Sequence, residues 1–189
     1  MKKINIVQIA AFSLLVLSSC KEVKKEQTTE AVETTNAIVP TKISFTMEPK
    51  SASAVTGEVT FIQEDNSVTM TAELSGLEEG EHAIHIHQTA DCSSADGKST
   101  GGHWNPTNNP HGKWGAEEGF HKGDIGNFMA TAEGSATVTF ITDEWCIGCD
   151  DENKNIIGKG VIVHNGVDDF TSQPSGAAGA RISCAGIIQ

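Results

Sequence analysis

Short runs of alternating apolar and polar residues recur along this chain, and no stretch carries the apolar stripe of an amphipathic helix. Ile43, Phe45 and Met47 alternate with Ser44, Thr46 and Glu48, and residues 59–61 and 68–74 behave alike. Residues two apart in a strand share a face, so the pattern suits half-buried strands. Residues 135–141, 159–164 and 181–188 supply further candidates, with turn signals at Asp65-Asn66 and Glu133-Gly134. Short strands, 19 glycines and few aromatic residues predict an all-β domain, an antiparallel sandwich or barrel.

Two segments break this rhythm. Residues 88–122 show no strand pattern and are far longer than an ordinary connection, and residues 165–180 form a second loop rich in Gly and Ser. Structureless loops of such length in a compact domain usually serve function. These two carry or adjoin most of the histidines.

The ends bound the rest. Lys2 and Lys3 precede a mostly apolar stretch from residue 4 to 17, too short and too closely followed by charge for a membrane span, so residues 1–19 read as an export signal. Its end, Leu-Ser-Ser-Cys, resembles a bacterial lipobox, which makes Cys20 the expected lipidation site. Residues 21–40 are polar, rich in Thr and Glu and without periodicity, as in a flexible tether. The folded domain is expected over residues 41–189. The location implied is the bacterial cell envelope, periplasm or cell surface, with membrane contact only through the lipid. The full chain carries 13 basic and 25 acidic residues, a net charge of −12, and loss of Lys2 and Lys3 with the signal takes this to −14. Such an acidic protein is a poor partner for nucleic acid or an anionic membrane surface.

Six of the seven histidines fall at spacings that metal chemistry can use. His85 and His87 form an HxH pair, which a strand would aim to one side while Ile86 faces the core. His103 and His111 lie in the long loop, His121 stands three residues before Asp124 in HKGD, and His164 ends the apolar run VIVH, from where it would return to the first pair across the barrel. Imidazole is the commonest ligand for zinc and copper, and Asp adds an anionic oxygen. Taken singly, each His is more easily a surface or hydrogen-bonded residue; six placements together point to metal, and seven ligands exceed one tetrahedral site. Two neighbouring ions are therefore expected. His82 flanks the strand without a partner spacing and is expected to bond backbone.

The segments HIHQTADCS, GGHWNP followed by His111, HKGDIGN, VIVHNGVDD and GAAGARISCAG, in this order, resemble copper/zinc superoxide dismutase from about Lys42 to Gln189. The resemblance implies an eight-stranded Greek-key barrel. It implies copper held by His85, His87, His103 and His164, and zinc by His103, His111, His121 and Asp124, with His103 shared. Asp168 matches the family's carboxylate linking a copper His to a zinc His, while Asp169 reads as a solvated loop acid. Superoxide is the implied substrate, dismutated to oxygen and hydrogen peroxide. Copper is the redox centre because zinc has no redox chemistry, and His103 is the implied proton carrier. Arg181 matches the active-site arginine, which would attract and orient a small anion. The loop before it holds no Lys, so other focusing charge would come from residues such as Lys98 or Lys113. The resemblance leaves oligomeric state open, a homodimer being one arrangement it allows.

Beyond Cys20, four cysteines allow three pairings. The resemblance implies Cys92–Cys184, a bond suited to an exported protein and nominally contributing roughly 3–5 kcal/mol through lost chain entropy. Cys146 and Cys149, in WCIGCD, lie outside the family pattern. With no second CxxC and no βαβ context, a local disulfide stiffening a loop is expected. The alternative to an enzyme is a barrel that stores or delivers copper or zinc; relatives of that kind typically lose a ligand or the arginine, and this chain keeps them all.

Overall fold

A computed structural model describes residues 41–188; the signal, Cys20 and the tether lie outside the described residues. Eight strands form: β1 (Thr41–Pro49), β2 (Thr56–Glu64), β3 (Ser67–Ser75), β4 (Gly80–His87), β5 (Gly126–Ala130), β6 (Ala136–Thr142), β7 (Gly160–His164) and β8 (Arg181–Gly186). All neighbours pair antiparallel in the order β5-β4-β7-β8-β1-β2-β3-β6, a nearly closed Greek-key barrel. The helical content among the described residues is one short 3-10 turn, Lys98–Thr100. The β2–β3 hairpin turns at Asp65-Asn66, where Asp65 takes a left-handed φ of 51° that a short polar side chain tolerates.

The alternating residues meet in the barrel interior. Met47, Val59, Phe61, Met70, Ile84, Ile86, Val161 and Val163 are fully buried in one core. Because Ile84 and Ile86 point inward, His85 and His87 point to the outer face of β4. Cross-strand register sets His85 beside Ile162 and Ile162 beside Cys184 on that same outer face.

The outer face is buried nonetheless, because the long loop covers it. Cys92 of the loop is joined to Cys184 of β8, with Cα atoms 5.9 Å apart. Backbone bonds complete the cover: Trp104 N donates to Ile86 O, Ile86 N to Gly123 O, and Gly123 N to Trp104 O. A side chain at Gly123 would run into the Ile86 carbonyl, so this interlock requires glycine.

Two placements need correction, and one strand is added to those expected. Residues 126–130 form a strand that the alternating pattern did not disclose. His82 lies inside β4 instead of flanking it, with its ring nitrogens 3.1 and 2.9 Å from the carbonyls of His164 and Glu78. His164 does not reach His85 and His87 across the barrel; β7 is the immediate neighbour of β4, so all three share one sheet face.

Candidate metal centre

Each functional side chain is placed by a strand or by the loop locked onto it. His85 and His87 come from β4, His164 from the end of β7, and His103 enters through an isolated bridge with His87. A register irregularity at Val163/His164 skips one residue of β8, so Arg181 instead of Ile182 stands opposite His164. A one-residue slip exchanges the faces of a strand. The bulge therefore turns Arg181 outward to the histidines and leaves Ile182 to the core.

Two groups result. The candidate ligand atoms of His85, His87, His103 and His164 lie within 4.8 Å of one another, as do those of His103, His111, His121 and Asp124, and all these residues are buried. His103 belongs to both. Its Nδ1 lies 2.8 Å from Asp124 Oδ1, which leaves Nε2 for the first group.

The hydrogen bonds show what these rings are prepared for. His85 Nε2 donates to Asp168 Oδ2 at 2.9 Å, and His111 Nε2 donates to Asp168 Oδ1 at 2.8 Å. His87 Nδ1 donates to Gly101 O at 3.0 Å, and His164 Nδ1 to Gly179 O at 3.3 Å. In each ring an acceptor fixes the proton on one nitrogen and leaves the lone pair on the other. Those other nitrogens, His85 Nδ1, His87 Nε2, His111 Nδ1 and His164 Nε2, are buried without a hydrogen-bond partner, as are His103 Nε2 and His121 Nδ1. An unsatisfied buried polar atom costs about 1–3 kcal/mol, and native proteins keep few of them. Six converging on two points fit metal ions as the missing partners. His111 Nδ1 and His121 Nδ1 lie 3.0 and 3.2 Å from Asp124 oxygens without hydrogen-bond geometry, as ligands of a common ion would.

The carboxylates are held as anions. Burial works against Asp124, yet contacts with His103, His111 and His121 outweigh it and keep its carboxyl well below the usual range. Its Oδ2 also accepts from the backbone N–H of His121 at 2.8 Å and of Gly112 at 3.2 Å. Asp168 is likewise held low, burial being outweighed by His111 and His85. It is clamped from behind by Asn127, which accepts from its N–H at 2.8 Å and donates to its carbonyl at 2.9 Å. Asp169 is exposed and caps the turn through Thr171 and Ser172. Burial lowers the His87 and His164 rings and takes His103 down to about 4, whereas Asp124 and Asp168 overcome burial and raise His111 to about 9.

A cleft opens over the first group, lined by His87, His103, His121, His164 and Arg181. Arg181 Nη1 donates to Gly97 O at 2.8 Å and Thr100 Oγ1 at 3.0 Å, which fixes the guanidinium at the cleft edge. No lysine lines the cleft among the described residues. Lys98 is 78% exposed and paired with Asp96, and Lys113 is exposed in the loop. Cys146 and Cys149 are disulfide-linked in the loop between β6 and β7.

The profile of the copper/zinc superoxide dismutase family matches residues 55–187, and the chain belongs to that family. Solved structures agree. A SOD-like protein from Bacillus subtilis is 27% identical with a TM-score of 0.68, covering 77% of this chain and 97% of its own. A double mutant of that protein, in which a tyrosine and a proline were replaced by histidine, is 28% identical with a TM-score of 0.69 over the same shares.

Proposed function

We propose that this protein dismutates superoxide, with copper held by His85, His87, His103 and His164 and zinc by His103, His111, His121 and Asp124. The observation that carries this reading is the set of six buried ring nitrogens without partners, divided between two groups that share His103. When bound, copper supplies one-electron chemistry by alternating between two oxidation states, while zinc supplies charge and order without redox change.

The chain's own residues then have separable tasks. Arg181, anchored to Gly97 and Thr100, attracts superoxide into the cleft and orients it toward the first group. His103 Nε2 carries one of the two protons that two superoxide ions need to leave as one oxygen and one hydrogen peroxide. Asp168 holds His85 and His111 in the tautomers that expose their ligating nitrogens. Covering of the histidine face by the 88–122 loop limits water access except through the cleft.

Export and lipid attachment at Cys20, with residues 21–40 as tether, are proposed with it. Two disulfides agree with an oxidising compartment. The test is superoxide loss by the purified chain loaded with copper and zinc, zinc alone, or no metal. Activity confined to the copper form is expected; tight metal binding without turnover would favour storage or delivery of metal instead.

A further inference from the structure

The β6–β7 loop, residues 143–159, grips the metal-binding loop at Lys122. Trp145, buried, donates its Nε1 hydrogen to Lys122 O at 2.8 Å, and Glu144 accepts an ion-paired hydrogen bond from Lys122 Nζ. Lys122 stands between His121 and Asp124, and the Asp124 N–H bonds back to the His121 carbonyl to close that turn. Both grips therefore act on the turn that carries two of the four residues of the second group. The Trp145 ring also lies against Phe140 and edge-on to Trp114, with centroids 5.1 and 6.1 Å apart, and the Trp114 ring lies 4.7 Å from that of Phe120, just before His121.

The Cys146–Cys149 disulfide follows Trp145 directly. Within the loop Cys146 N donates to Lys154 O, Ile156 N donates to Cys146 O, and Asn155 bonds Gly148 N and Cys149 O. Ile147 N is tied to Gln63 of β2 at 2.7 Å. The disulfide thus closes a small cage anchored to the barrel, from whose rim Glu144 and Trp145 project onto Lys122.

We propose that Glu144 and Trp145, held by the Cys146–Cys149 cage, are positioning residues for the second metal group: through Lys122 they fix the His121–Asp124 turn and slow loss of its ion. This rests on the assignment of zinc to His103, His111, His121 and Asp124. Mutation of groups that orient metal ligands commonly changes affinity about 10- to 100-fold; acting one residue removed, these should fall near the lower end.

The full chain is loaded with copper and zinc, and zinc release to a chromophoric chelator is followed beside copper release. Cys146→Ser/Cys149→Ser is expected to release zinc about tenfold faster, with copper release unchanged, and Glu144→Gln to act in the same direction. Cobalt(II) in place of zinc should show an altered visible spectrum in Trp145→Phe, because the turn geometry changes. Zinc release equal to wild type in both variants would overturn the proposal. So would parallel acceleration of copper release with a lowered melting temperature of the metal-free chain, since that is general loosening. A wild-type chain retaining no zinc would instead overturn the underlying metal assignment.

Discussion

Removal of the Asp168 carboxylate should weaken both metal groups at once, although Asp168 is not among the proposed ligands. Its side chain is fully buried, with one oxygen 2.9 Å from His85 Nε2 and the other 2.8 Å from His111 Nε2. Loss of a carboxylate that orients a ligand commonly costs about 10- to 100-fold in affinity, or about 1.4–2.8 kcal/mol at each site. Asp168→Ala should show a loss of that size for copper and zinc alike. Asp168→Asn should separate them. Oδ1 also accepts from Phe170 N at 2.7 Å, so the amide oxygen should settle there and continue to accept from His111. The amide NH2 would then face His85 Nε2 and force that ring into the opposite tautomer, with the proton on its ligating Nδ1. Copper affinity should fall further than zinc affinity. Competition titrations with chelators of known affinity measure both, and an Asp168→Ala chain with either affinity unchanged would refute the bridging argument.

Further outcomes follow from the same contacts. Gly176 has φ +65°, and a Cβ there would overlap Asp168 Oδ1 and lie 2.7 Å from His111 Nε2. Gly176→Ala should therefore reduce both affinities without removing a polar group, in the same titrations. His103→Ala should impair both sites, whereas His121→Ala should mainly weaken zinc, as metal content after dialysis would show. In the metal-free chain, the lowered His87, His103 and His164 make the unfolded state bind more protons below its imidazole value of about 6.5, so stability should rise with pH to that point. His111, raised to about 9, contributes stability that is complete below about 6.5 and lost as pH climbs through 9. Thermal melts should thus peak near neutrality, and bound zinc, which requires neutral His111, should remove the alkaline decline.

The barrel was largely legible because its strands alternate: inward Ile84 and Ile86 and outward His85 and His87 need nothing more than period two. β5 was not, since Gly126, Asn127 and Ala130 carry little strand propensity and Met129 stays 66% exposed. The β8 bulge was invisible for a different reason. Arg181, Ile182 and Ser183 alternate normally in sequence, and only pairing with β7 turns Arg181 to the histidine side. Asp168 is told from Asp169 in the sequence only through the family resemblance; in the fold one lies buried under the histidines and the other in solvent. The histidine spacing gives no sign of Glu144 and Trp145, though a tryptophan set in a loop rich in charged residues is itself a sign of docking.

Catalytic turnover is the central claim, and sustained acceleration over spontaneous dismutation tests it most directly. Superoxide supplied in large excess over the copper- and zinc-loaded protein should disappear faster than in the zinc-only control throughout, with the accelerated loss far exceeding the copper present. Acceleration that ends after about one superoxide per copper, leaving only the spontaneous rate of the control, would show a metal that is reduced but not returned, and would contradict the account.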